Sequence, residues 1–207
     1  MKINMDELLD SMLEGISNMD YVRSEDIPNI ELYMDQVTTF MDSRLKNAAR
    51  NPEVDKILTK TMINNYAKNK LLPPPEKKRY SREHLLMLIF IYYFKNILSI
   101  SDIQTLLGPI TDKYFKSMTE KDMTYIYQEV FSMEQTQIRY LEKDLMRRFK
   151  SAGEIFEDAD PEDKEFLHQF SFICLLSFDV YMKKMIIENM IDHMNSPKDT
   201  DSSKKGK

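Results

Sequence analysis

Three consecutive prolines, Pro73-Pro74-Pro75, lie between two stretches of helical spacing and constrain this chain more than any other feature. Proline lacks an amide donor, and its ring drives the preceding residue out of the helical region, so a helix arriving from Thr59 must stop there. The connection from Pro73 to Tyr80 is too short for a domain linker and carries Lys77, Lys78 and Arg79, which are expected to project from a small loop. Ser81 then caps another helix. All of this sits in an island of opposite charge. From Lys56 to Lys95, nine Lys and Arg stand against two acids, Glu76 and Glu83, a local +7 in a chain of net charge −5, so the other residues together carry −12. Phosphate binding depends on the local patch rather than the mean charge, so the island points to nucleic acid.

The chain has 207 residues, enough for one large domain or two small ones. Four Gly, no Trp, no sustained alternation of apolar and polar residues, and many Leu, Ile, Met and Tyr at three-to-four spacing predict an all-α fold. One cysteine, Cys174, excludes an internal disulfide and a thiolate metal cluster within one chain, which fits a reducing, cytoplasmic setting. Residues 1–20 mix acids with Leu and Met and read as a short amphipathic helix, not a signal peptide. The apolar runs Leu85 to Phe94 and Phe170 to Val180 fall short of the ~20 residues that span a bilayer, so no membrane partner is expected.

Four parts are expected: an N-terminal helical extension (1–25), a DNA-binding unit (26–110), a C-terminal helical region for dimerisation or regulation (111–195) and a disordered polar tail (196–207). Within the unit, Asn29 caps a helix to about Leu45 whose stripe includes Ile30, Tyr33, Val37 and Met41. Residues 47–55 form an expanded turn, and Thr59 caps a helix from Lys60 to about Lys70. Ser99 and Asp102 form a capping box for a helix through Leu107, closed by Gly108-Pro109. Farther on, Thr119-x-x-Asp122 opens a long helix to about Phe149. Asp160-Pro161 starts a last helix to about Met194, apolar on nearly all sides from Phe170 to Met182 and therefore buried between neighbours or at a subunit interface.

Thr59 to Tyr80 resembles the MerR-like winged helix, whose second helix ends in a Gly-Leu-Leu-x-Pro pattern before a basic wing. Thr59 matches its cap, Ile63 and Tyr66 its buried Ile and second Tyr, and Leu71-Leu72-Pro73-Pro74 its end, with a shorter wing. Asn64, Asn65 and Lys70 stand where that pattern has Arg, Tyr and Gly. The segments IELYMDQV, LTKTMINNY and YSREHL are more similar to a bacterial family, domain of unknown function 1836, itself MerR-like, over about Ile27 to Leu107. The resemblance implies a winged helix-turn-helix that binds double-stranded DNA as a transcriptional regulator and names no effector.

On the second helix, Thr61, Asn64, Asn65 and Lys68 share a face that points away from Met62, Ile63 and Tyr66. With Thr59 and Lys60 at its start, that face is the candidate recognition surface; Asn can read adenine through paired donor and acceptor groups. Lys77, Lys78, Arg79 and Arg82 are the candidate phosphate contacts, which position without specifying. The alternative is a protein-interaction module whose winged helix no longer binds DNA; a third reading adds a small-molecule effector in a Met- and Tyr-lined pocket. Met182, Met185, Met190 and Met194 read more readily as core filling. His84, His168 and His193 have no metal-ligand spacing, no phosphate loop or nucleophile motif is present, and neither catalysis nor a cofactor is expected.

Overall fold

The computed structural model describes residues 4–17, 21–46, 49–51 and 55–195; the expected tail and most of the turn at 47–55 lie outside the described residues. Helices dominate: α1 (Met5–Ser17), α2 (Met34–Leu45), α3 (Lys60–Lys68), α4 (Arg82–Phe94), α5 (Ile100–Tyr114), α6 (Met123–Phe131), α7 (Glu134–Gly153) and α8 (Lys164–Asn195). Two strands that the sequence did not announce, β1 (Leu32–Tyr33) and β2 (Arg79–Tyr80), pair antiparallel, Leu32 with Tyr80 and Tyr33 with Arg79.

α4 is the axis of the first core. Nine consecutive residues, His84 to Tyr92, are buried, so this helix has no solvent side. Around it close Val37, Met41 and Leu45 of α2, Ile63 and Tyr66 of α3, Leu71 and Leu72, Ile103 and Leu107 of α5, Met123 and Tyr127 of α6, and Ile191 from the far end of α8. At roughly 1.5–3 kcal/mol per fully buried large apolar side chain, this layer is the main source of the fold's stability. The second core is smaller. Met5 of α1, Leu145, Phe149 and Ala152 of α7 and Phe172 of α8 form it, with Leu8, Leu9 and Leu13 packed alongside. The N-terminal helix therefore belongs with the C-terminal ones.

Several boundaries differ from the sequence reading. α2 starts at Met34, not after Asn29, because residues 32–33 are taken by the strand pair; Gln36 Oε1 accepts the Tyr33 amide at 2.9 Å in place of a capping side chain. Ile30 and Tyr33, expected in the stripe, are exposed. α5 runs straight through Gly108-Pro109, so the unit does not close at 110. An internal proline costs about 3 kcal/mol. Here Ile103 and Leu107 before it and Ile110 and Tyr114 after it all pack on the first core, and that burial offsets the cost. The expected long helix is two, broken at Ser132-Met133: α6 packs on the first core and α7 on the second, and the Glu134 carboxylate accepts the Tyr21 amide at 3.0 Å. Asp122 caps α6, accepting the Tyr125 amide at 2.9 Å, whereas Thr119 lies ahead of the helix. Pro161 falls in the turn before α8 rather than in its first helical position.

α8 is the largest departure. It is not buried between neighbours: of its residues only Ser171, Phe172 and Ile191 are fully covered. Met182, Met185, Met190 and Met194 are exposed rather than core-filling, so they line no interior pocket. The inward positions His168, Phe172, Leu175, Leu176 and Asp179 are covered by α7 and α1. Ile187 and Ile191 face α5 instead, and at 3.6 residues per turn they lie about a quarter of a turn round the axis from that first stripe. Arg148, held by Asp144 of its own helix at 2.5 Å, ties α7 to α8 through Asp179 at 3.0 Å.

Candidate nucleic-acid interface

Thr59 fixes the start of α3: its Oγ1 accepts the Met62 amide at 3.2 Å, as its place ahead of the helix predicted. Ile63 and Tyr66 are buried beneath, and Thr61, Asn64, Asn65 and Lys68 lie on the exposed side, so the four share one outward face as their spacing required. The prolines do not end this helix. Lys70 does, with φ at 56°, while its own amide bonds to the Ala67 carbonyl and the Leu71 amide to that of Tyr66. That pair of bonds is a Schellman ending, which normally uses glycine at the left-handed position. Lys70 thus adopts the backbone of the Gly in the winged-helix pattern, and Leu71 and Leu72 turn into the core behind it.

Glu76 to Arg79 then make a two-residue hairpin turn, the Arg79 amide bonding to the Glu76 carbonyl at 2.8 Å. Lys77 and Lys78 occupy its centre with φ of 48° and 64°. A left-handed backbone costs an L-residue with a Cβ about 1–2 kcal/mol, which is why Asn-Gly is the usual choice in such turns. Both lysine side chains are exposed and form no salt bridge among the described residues.

The turn and α3 are held to the same place. β1 leads directly into α2 and pairs with β2, which follows the turn. Arg79 pairs with Glu31 at 3.1 Å just before β1, and Lys60 pairs with Asp35 in the first turn of α2. The start of α3 and the basic turn therefore flank one junction, β1 to α2. Lys116, at the end of α5 with φ at 56°, bonds to Glu76 at the other side of the turn. That bond and the Lys116 charge hold the Glu76 carboxyl below the ordinary carboxylate range.

The ten expected contacts divide by what they already do. Thr61, Asn64, Asn65, Lys68, Lys77 and Lys78 are exposed and unengaged by ion pairs among the described residues. Lys60 is exposed and Arg79 half-buried, both are paired, and Thr59 is spent on its cap. Arg82 serves the fold: its guanidinium donates to the carbonyls of Ser24 at 2.6 Å and Ile27 at 3.0 Å, holding the approach to β1 against α4. Beneath the turn lies His84. Its Nδ1 accepts the Ser81 amide at 3.0 Å, and its ring meets Tyr80 and Phe115 edge-on. Burial pushes its pKa below the ordinary value, the Pro74 carbonyl and the Glu83 charge opposing this only in part. Lys70 joins the exposed basic group, a role its place at the helix end concealed in the sequence. No set of three His, Cys, Asp or Glu is placed to hold a metal among the described residues, and no described helix is long and apolar enough to cross a membrane.

The family model for Domain of unknown function (DUF1836) matches residues 22–130. This chain belongs to that family. The DUF1836 segment runs from just before the Ser24–Asp26 turn almost to the end of α6, so it contains the β1–β2 pair, α3, the basic turn and nearly all of the first core. It extends past the 110 boundary, in accord with the burial of Met123 and Tyr127. No curated protein and no solved structure matches the chain.

Proposed function

We propose that the DUF1836 segment is a MerR-like winged helix-turn-helix that binds double-stranded DNA, with α3 in the major groove and the Lys77-Lys78 turn as the wing against the backbone, and that the protein is a transcriptional regulator. The observation that carries this reading is the pair of lysines in left-handed turn positions. Strain held at a solvent-exposed tip, where Asn-Gly would relieve it, is explained when the side chains are needed for their charge. Lys68 and Lys70 add charge at the end of α3, and Asn64 and Asn65 present amide groups suited to adenine on its outward face. The Lys60 and Arg79 pairs are exposed, worth ~0–1 kcal/mol each, and would exchange readily for phosphate.

The engagement of Arg82, together with acids beside Lys60 and Arg79, favours a second reading in which the segment docks a protein instead. Binding of labelled random duplex DNA, followed by fluorescence anisotropy across a salt series, separates the two. The test variant is Lys77→Asn with Lys78→Gly, which removes two charges yet suits the turn. Weaker binding and a log–log salt slope shallower by about two units, the share of two phosphate contacts, are expected. Absence of salt-dependent binding by the folded wild type would move the assignment to the protein-docking reading.

A further inference from the structure

We propose that the outward face of α8 from Phe166 to Tyr181 is the interface for a second copy of this chain, paired antiparallel about a two-fold axis between Ile173 and Cys174. Phe166, Phe170, Ile173, Phe178, Val180 and Tyr181 are each 51–66% exposed. At about 100 Å² apiece, roughly half of a large side chain, they present on the order of 600 Å² of apolar surface. Isolated soluble chains seldom leave so large a patch open, and with a polar rim it approaches the ~800 Å² per partner of a stable interface. Between Phe166 and Met182 the only charged residue is Asp179, and it is turned aside to Arg148 and Lys183. Nothing on this strip opposes its being covered.

Shape and charge choose the antiparallel arrangement. The strip that is open at Phe166, Phe170 and Ile173 continues along the helix to Ile187 and Ile191, where α5 covers it. Parallel helices would both run into α5. An antiparallel partner begins at its own Lys164, opposite Lys183, and so ends where α5 takes over. In this register Phe166 meets Tyr181 of the other copy, and Phe170 meets the small Ser177. Asp163 then falls beside Lys184 of the other copy while Lys164 faces Lys183, whereas parallel pairing would set every one of these charges against its like.

Sedimentation equilibrium of the full chain tests the face, and cross-linking tests the direction. The wild type is expected to be a dimer at micromolar concentration, and Phe170→Glu with Ile173→Glu a monomer with an unchanged helical circular-dichroism spectrum, since both side chains are exposed. In a Cys174→Ser background, Phe166→Cys protein mixed with Tyr181→Cys protein should be joined by a short bismaleimide, and neither protein should be joined to itself. A monomeric wild type, a double variant that remains dimeric, or self-linking of the Phe166→Cys protein would each overturn the proposal.

Discussion

α4 and α8 carry the same sequence signature and meet different fates. Each has a run with scarcely a polar side, His84 to Tyr92 in one and Phe170 to Met182 in the other. α4 is enclosed by five other helices of its own chain, and the one histidine in that run is buried and bonded. α8 is gripped by α7 near its start, in the cluster that α1 also joins, and by α5 near its end, with a large apolar strip left open. All-round apolarity therefore states that a helix is to be covered. It does not state by which chain.

The sharpest break of this comparison is a pair of truncations. Leu88→Ala removes a fully buried side chain and should cost about 3 kcal/mol in chemical denaturation. Phe170→Ala, measured dilute enough to keep the chain monomeric, should stay within about 0.5 kcal/mol. Equal costs in dilute solution would mean that α8 is covered by its own chain after all. A smaller effect of opposite sign is expected at the basic turn, where Lys77→Asn with Lys78→Gly should stabilise by about 1–2 kcal/mol through relief of the left-handed backbone. Stability rising as DNA affinity falls is the combination to look for, and a destabilised variant would show that the lysines hold the turn.

The smallest effect concerns the His84 side of α4. Its pKa is lowered on folding, so between the folded value and the unfolded ~6.5 the unfolded chain binds more protons. Stability should consequently be complete above pH ~6.5 and decline as pH falls through that window, by at most about 1.4 kcal/mol per pH unit. His84→Gln can still accept the Ser81 amide and should flatten this slope in thermal melts taken from pH 7 to pH 5. An unchanged slope would assign the dependence to other groups.

What was legible in the sequence was local. Thr59, the outward face of α3 and the Ser99–Asp102 box stand as expected, the last with the Asp102 amide bonded to Ser99 Oγ at 3.2 Å and the Ser99 amide to Asp102 Oδ2 at 3.1 Å. Each depends on residues three or four apart. The strands were not legible, because two-residue strands exist only through a partner forty-eight positions away, Leu32 with Tyr80. Pro109 inside α5 and the break at Ser132-Met133 were hidden for a related reason: tertiary burial overrode the local signals on both occasions. At the candidate interface the charges were visible but their occupations were not. Nothing in the sequence around Arg82 distinguishes a phosphate ligand from a clasp on the Ser24 and Ile27 carbonyls.

The placement of Ile187 and Ile191 against the DUF1836 core bears on how the protein is made. Residues 22–130 leave the ribosome well before the last turns of α8 that cover α5, so the nascent core waits with one side unsealed. Contacts this distant in sequence form late and slow the final closure. During that interval the apolar strip of α8 is also emerging, which makes the appearance of this helix the moment when the chain most needs protection from premature association.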